Sequence, residues 1–207
     1  MDIKYFSDLI KTKKKELDDL MRRRMPVIAG RMAKDHFQDN FRKGGYVDGG
    51  LHPWKNSKRQ ESGGTRASDN YGPLLSSRNH LFSSIKYVPG DYRVVVSNEL
   101  RYAPIHNWGG TINTTVTPQM RRFAWAMYYK ASGKRKKGST SKKKGKNSGK
   151  TRQADNPRAA FWRNLALTKK SQLSIHIPQR QFIGDSKELR RDINQRTEDE
   201  IRKILNK

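Results

Sequence analysis

Apolar side chains recur at helical spacing over residues 3 to 21: Ile3, Phe6, Leu9 or Ile10, Leu17, Leu20 and Met21. The opposite face is lysine-rich, so the spacing predicts an amphipathic helix. Met25-Pro26 punctuates the run, and Pro26 suits the first turn of a second helix. That helix carries Ile28, Met32, Ala33, Phe37 and Phe41 on one face and stops at Gly44-Gly45. The pattern fits two helices or one long helix kinked at the proline. From Gly44 to Gly72 the periodicity is lost, which predicts a long loop with Pro53 and Trp54 as its anchors.

Pro73 to Ile85 reads as a short helix that turns Leu74, Leu75, Leu81, Phe82 and Ile85 inward. Ile85 to Val88, then Pro89-Gly90-Asp91, then Tyr92 to Ser97 gives strand, turn, strand: a hairpin. Thr111 to Val116 is strand-like. Pro118 to Ala131 reads as a helix with Thr117 as its N-cap and Phe123, Ala124, Met127 and Tyr128 on one side. Asn156 to Leu165 is again helical, and Gln172 to Ile177 alternates as a strand does. Pro178 to Gly184 is an extended link. Asp185 with Glu188 makes a capping-box-like start to a last helix, whose stripe is Leu189, Ile193, Ile201, Ile204 and Leu205.

The sum is an α+β fold: a small, mainly antiparallel sheet flanked by N- and C-terminal helices, with long loops. We expect a single domain over 1–207. It comprises a helical region (1–43), a long loop (44–72), a sheet and helix core (73–129), a basic low-complexity loop (130–155) and a closing helix, strand and C-terminal helix (156–207). The apolar stripes of the first and last helices either cover the sheet, the favoured expectation, or belong to a subunit interface.

The chain is organised around Arg101-Tyr-Ala-Pro-Ile-His-Asn-Trp-Gly-Gly110. One proline, two aromatics and paired glycines between two strands predict a packed corner, with Tyr102, Ile105 and Trp108 as apolar anchors. Trp54 and Trp108 are also the expected exposed aromatics that would favour oligomerisation.

Charge changes this picture. With 45 Lys and Arg against 19 Asp and Glu, the net charge is +26, which favours anionic partners. Residues 130 to 152 hold eleven Lys or Arg and no acid. Such a run cannot bury enough apolar surface to offset its ordering entropy. Its Lys134, Arg135, Lys136, Lys137, Lys142, Lys143, Lys144, Lys146, Lys150 and Arg152 either contact DNA phosphates or an acidic partner, or stay solvated. There is no cysteine, so disulfides and thiolate metal sites are excluded. No apolar run approaches the length of a membrane span, and the N-terminus has no signal-peptide core. The expected location is therefore cytoplasmic, with no membrane contact.

Catalytic chemistry finds little support. His36, His52, His80, His106 and His176 lack metal-motif spacing, and Asp35, Asp39 and Asp48 lack partners. His106 fits a structural hydrogen-bonding role. No Walker or dinucleotide loop is present, and no nucleophile, base and orienter form a set. We expect no catalytic residue, no cofactor and no metal.

Two stretches carry a family likeness. Tyr102-Ala-Pro-Ile-His-Asn-Trp-Gly-Gly110 resembles the Tyr-Ala-x-Ile-His-x-x-Gly-Gly signature of the phage virion morphogenesis, or tail completion, family of Mu-like and related tailed phages. Ile177-Pro-Gln-Arg-Gln-Phe-Ile-Gly184 resembles that family's Ile-Pro-x-Arg-x-Phe-Leu/Ile-Gly element. The likeness spans most of residues 25 to 185. The chain departs from the pattern at Leu74 to Leu81, where relatives often have Thr-Gly before the leucine, and in its enlarged lysine-rich loop. The resemblance implies a non-enzymatic virion protein of the head–tail junction, a tail-completion, neck or tail-terminator component made in the host cytoplasm. It implies a homo-oligomeric ring, a hexamer favoured, that binds tail-tube, terminator or connector proteins and has possible non-specific contact with packaged DNA. Its motif and interface residues are Tyr102, Ala103, Ile105, His106, Trp108, Gly109, Gly110, Pro178, Arg180, Phe182 and Gly184. The alternative function is a nucleic-acid-binding protein acting through residues 134–152.

Overall fold

The computed structural model describes residues 3–57, 60, 71–133 and 157–206. The fold class is α+β as expected, with helices at both ends, and the strands pair as three two-stranded ribbons rather than one sheet. Two compact units form: residues 1–110 with 177–207, and residues 111–176. Among the described residues no helix is long and apolar enough to cross a membrane.

The first unit opens on one continuous helical run: α1 (Ile3–Asp19), a π-helical turn (Leu20–Arg24) and α2 (Met25–Lys43). Pro26 does not break the run, for a reason visible in the backbone. Proline has no N–H for the carbonyl four residues back and crowds it. The turn before it widens, so Met25 N–H bonds to Leu20 O, five residues back. The Arg22 carbonyl accepts instead from Tyr92 N–H at 3.1 Å. Tyr92 sits at the turn between β3 (Ile85–Gly90) and β4 (Arg93–Asn98) with φ of 57°. This left-handed conformation is costly for tyrosine. The contacts around it offset the cost: its hydroxyl donates to Asp18, and Arg22 reaches Asp91 Oδ2 at 2.9 and 2.6 Å.

The hairpin packs along α2 at Gly30. A Cβ there would lie 2.4 Å from Tyr87 Cδ2 and 2.8 Å from Val94 Cγ2. Gly30→Ala therefore gains about 1 kcal/mol of helix propensity and loses more to overpacking. The expected result is a net loss of about 1–2 kcal/mol in urea unfolding, opposite in sign to the usual helix Gly→Ala change.

Gly44 ends α2 in the left-handed conformation, φ 67°, as its sequence position predicts. The expected loop after it begins with a ribbon, β1 (Gly45–Val47) against β2 (Leu51–Pro53), antiparallel with Tyr46 opposite His52. Residues 58–59 and 61–70 of that loop lie outside the described residues. The short helix expected from Pro73 reduces to α3 (His80–Ser83), with turns before it. The β3–β4 ribbon places Tyr87 opposite Val96, and its strand runs on through Pro89 and Gly90 to reverse at Asp91-Tyr92.

One core gathers Ala33, Phe37, Phe41, Trp54, Leu81, Ile85, Ala103 and Phe182. Phe41 is its centre, with ring centroids 5.5 Å from Trp54, 5.9 Å from Phe82 and 5.1 Å from Phe182. A smaller cluster joins Leu20, Met25 and Ile204, with Leu17, Ile28 and Ile201 against it. The closing helix of this unit spans Lys187–Leu205. Its N-cap is Ser186, whose Oγ accepts from Leu189 N–H at 3.3 Å, not Asp185 as the capping-box pattern had it. Glu188 turns instead to the β1–β2 turn and accepts from Gly49 N–H at 2.9 Å and Gly50 N–H at 3.0 Å.

The first helix corrects an expectation. It has no buried residue: Ile3 is 85% exposed, and Phe6 and Ile10 are each 51% exposed. Its stripe covers no sheet. Among the described residues, Ile201 and Ile204 of the last helix pack at its Leu17 and Leu20 end, Lys13 donates to the Ile204 carbonyl at 2.6 Å, and Leu205 lines a cavity with Leu9 and Ile10.

The second unit holds the β5 (Gly110–Thr115) and β6 (Gln172–Ile177) pair and two helices between them. These are Pro118–Ser132, capped by Thr117 accepting from Met120 N–H at 3.1 Å, and Pro157–Leu167. They run antiparallel: Phe123 meets Trp162 with centroids 5.7 Å apart, and Arg121 donates to the Thr168 carbonyl. The buried residues on both helices are alanines, Ala124, Ala159 and Ala166, which let the backbones approach.

Candidate functional site

The packed corner expected at the first signature is built as a short helix, α4 (Ala103–Trp108). Proline at its second position fits the first turn. On a helix, positions four apart share a face. Ala103 and Asn107 are the buried pair, so Tyr102 and Trp108 point outward; Trp108 is 69% exposed. Neither aromatic is a core anchor, contrary to expectation, and Ile105 is partly buried. Trp54, expected to be an exposed aromatic, is buried in the core.

The second signature starts at the end of β6, and its residues 178–184 pair with no strand among the described residues. A buried backbone must still satisfy its polar groups. Here side chains and one carbonyl do so in order. Arg180 N–H donates to His106 O at 2.8 Å. Gln181 O accepts from Trp54 Nε1 at 2.9 Å. Phe182 and Ile183 N–H both donate to Asn107 Oδ1, at 2.9 and 3.0 Å. Asn107 Nδ2 donates back to Ile183 O at 3.0 Å, and Asn40 Nδ2 to Phe182 O at 3.3 Å. Beyond the signature, Asp185 O accepts from Tyr46 Oη at 2.6 Å. Burial is the main reason the Tyr46 phenol is pushed up to about 12, which keeps it a donor.

The two signatures are thus two halves of one clasp. Phe182 fills the core between them. The Arg180 guanidinium is buried and donates to the Lys55 carbonyl at 3.0 Å and the Asn56 carbonyl at 3.2 Å. Gly109, φ 72°, is needed where α4 ends, because a Cβ there would stand 2.9 Å from Gln179 N. Gly184 lies under Tyr46 Oη, 3.0 Å from where its Cβ would be. Pro178 is partly buried ahead of the clasp, and Gly110 opens β5. His106 contributes its carbonyl, not its ring. The ring stacks edge-on to Tyr102 at 6.1 Å with Nδ1 buried and unpartnered. Burial first, then the Arg180 charge, lowers its pKa, so the ring stays neutral.

Sequence reasoning passed over Asn107, Asn40 and Tyr46. Asn107 carries the clasp, yet it occupies a variable place in the signature as read. Its signal was phase: an amide one helical turn after Ala103 on the inward face.

An open cleft of about 560 Å³ adjoins the clasp, lined by residues that include Tyr46, Asp48, His52, Trp54, Gln179 and Asp185. Its carboxylates serve the fold. Asp48 accepts from Lys187 N–H at 3.1 Å, and Asp185 pairs with Arg190. Behind it, the Gly49 N–H is the first cause holding the Glu188 carboxyl below its usual range. Among the described residues no three His, Cys, Asp or Glu converge as a metal site would require. Lys134 to Arg152, the basic contact candidates, lie outside the described residues.

The clasp ties the two signatures into the core of the first unit. The family model for phage virion morphogenesis matches residues 4–202, and the chain belongs to that family. It is a phage virion protein. No curated protein and no solved structure matches it.

Proposed function

We propose that this protein is a non-enzymatic component of the head–tail junction, completing the tail or neck as a homo-oligomeric ring. The hexamer is the favoured ring by family resemblance, and tail-tube, terminator and connector proteins are its neighbours. One observation carries the oligomer: the uncovered half of the α1 stripe. Among the described residues, Ile201 and Ile204 of the last helix pack at the Leu17 and Leu20 end of the stripe, and Leu205, where that helix ends, lines one cavity with Leu9 and Ile10. Ile3, Phe6, Leu9 and Ile10 remain exposed. Burying side chains of this size contributes about 1.5–3 kcal/mol each when fully covered. A second copy is the occupant that every subunit of a ring supplies. Trp108, held outward on the clasped α4, adds a rigid aromatic of the kind that anchors interfaces.

Replacing Ile3, Phe6 and Ile10 together with Ser tests this. Light scattering should show the wild-type oligomer falling to monomer, while helix content by circular dichroism and the urea midpoint of the core stay within error. Phage carrying the variant should accumulate heads and tails that do not join. A wild-type chain that is monomeric at tens of micromolar, about the range where modest ring contacts fill, and absent from purified virions would overturn the proposal.

A further inference from the structure

Charge is segregated between the two units. Of the 19 acids in the chain, only Asp155 falls within Thr111–His176, which holds 17 of the 45 Lys and Arg. The described part of that unit contains no Asp or Glu at all. Acids and bases are interleaved in the other unit, where Arg22–Asp91, Arg24–Glu200 and Lys86–Glu99 pair. A surface with one sign of charge repels its own copies and attracts polyanions.

The antiparallel helices place these bases at two levels. Arg121 donates to the Thr168 carbonyl, so Arg122 stands at the same end of the helix pair as Lys169 and Lys170. Lys130 lies at the other end, lining a cavity with Met127 and Arg158. Arg122, Lys130, Lys169 and Lys170 are all exposed. At 1.5 Å per residue, Arg122 and Lys130 are about 12 Å apart along the axis and about 80° apart around it.

We propose that the two-helix unit is a DNA-backbone contact, with Arg122, Lys130, Lys169 and Lys170 as phosphate ligands in addition to whatever the lysine-rich run contributes. The contact is independent of DNA sequence, since phosphates position and only base edges specify. This goes beyond the ring proposal and does not depend on it.

The test is anisotropy of a labelled 30-base-pair duplex with the full chain, titrated at several salt concentrations. The variant changes Arg122, Lys130, Lys169 and Lys170 to Gln. The control changes Lys14, Lys15, Arg31 and Lys43 of the first unit to Gln, with an equal loss of charge. Each phosphate ligand removed should flatten the plot of log K against log salt by about 0.9. The expected result is a slope flatter by about 3.6 and affinity weaker by at least about tenfold at 0.1 M salt for the variant, with the control near wild type. Equal losses in both, no loss in the variant, or no binding by the wild type at 50 mM salt would overturn the proposal. Displacement of the duplex by poly-glutamate as readily as by unlabelled DNA would also overturn it, and assign the surface to an acidic protein. Unchanged circular dichroism confirms that the variant is folded.

Discussion

Asn107→Ala should remove about 3–6 kcal/mol of stability, a large part of what a domain of this size possesses. The amide makes three hydrogen bonds, two from Phe182 and Ile183 N–H and one to Ile183 O, in the buried heart of the clasp. Truncation leaves two donors and one acceptor without partners, and each such group costs about 1–3 kcal/mol when water does not reach it. Asn107→Asp separates the contributions. A carboxylate still accepts from both N–H groups, but it has no donor for Ile183 O and faces that carbonyl with like charge. Its loss should fall between wild type and Ala. Urea unfolding followed by tryptophan fluorescence reads both, since Trp54 bonds the neighbouring Gln181 carbonyl. A loss below about 1 kcal/mol for Asn107→Ala would mean the signatures are held by other contacts.

The ease of reading each element from sequence followed the length of its periodic signal. Ala33, Phe37 and Phe41 were legible because α2 repeats its apolar face over several turns, and burial agrees. The Thr117 cap and the β3–β4 hairpin were legible from local chemistry alone. The β1–β2 ribbon was not, since strands of three residues, one opening on a glycine and the other ending on a proline, carry no alternation. The clasp was half legible. Its residues stood out as motifs, but identity was taken for orientation: large aromatics were read as anchors, whereas helical phase turns Tyr102 and Trp108 out and Asn107 in. The bare half of α1 was not legible for a different reason. An amphipathic stripe announces that something covers it, not what, and here Ile3, Phe6 and Ile10 stay exposed.

Phe41→Ala is the second change with a large expected effect, about 3–5 kcal/mol. Phe41 is 1% exposed and touches rings from three other parts of the chain, Trp54, Phe82 and Phe182. Removing the ring opens a cavity that backbone pinned by hydrogen bonds cannot close. Asn40, its neighbour on α2, holds the Phe182 carbonyl, so the same helical turn supplies both the ring and the hydrogen bond to the second signature. Phe182→Ala should cost a similar amount, and the double variant should cost less than the two together by about 0.5–3 kcal/mol. Residues in contact share one cavity, and the second truncation removes a face of a hole already made. Strict additivity would place the two rings in independent clusters, and the N-terminal helix would then owe nothing to the C-terminal signature. Coupling of the expected size instead means that the N-terminal helical run and the C-terminal signature meet at Phe41 and Phe182, and neither packs fully without the other.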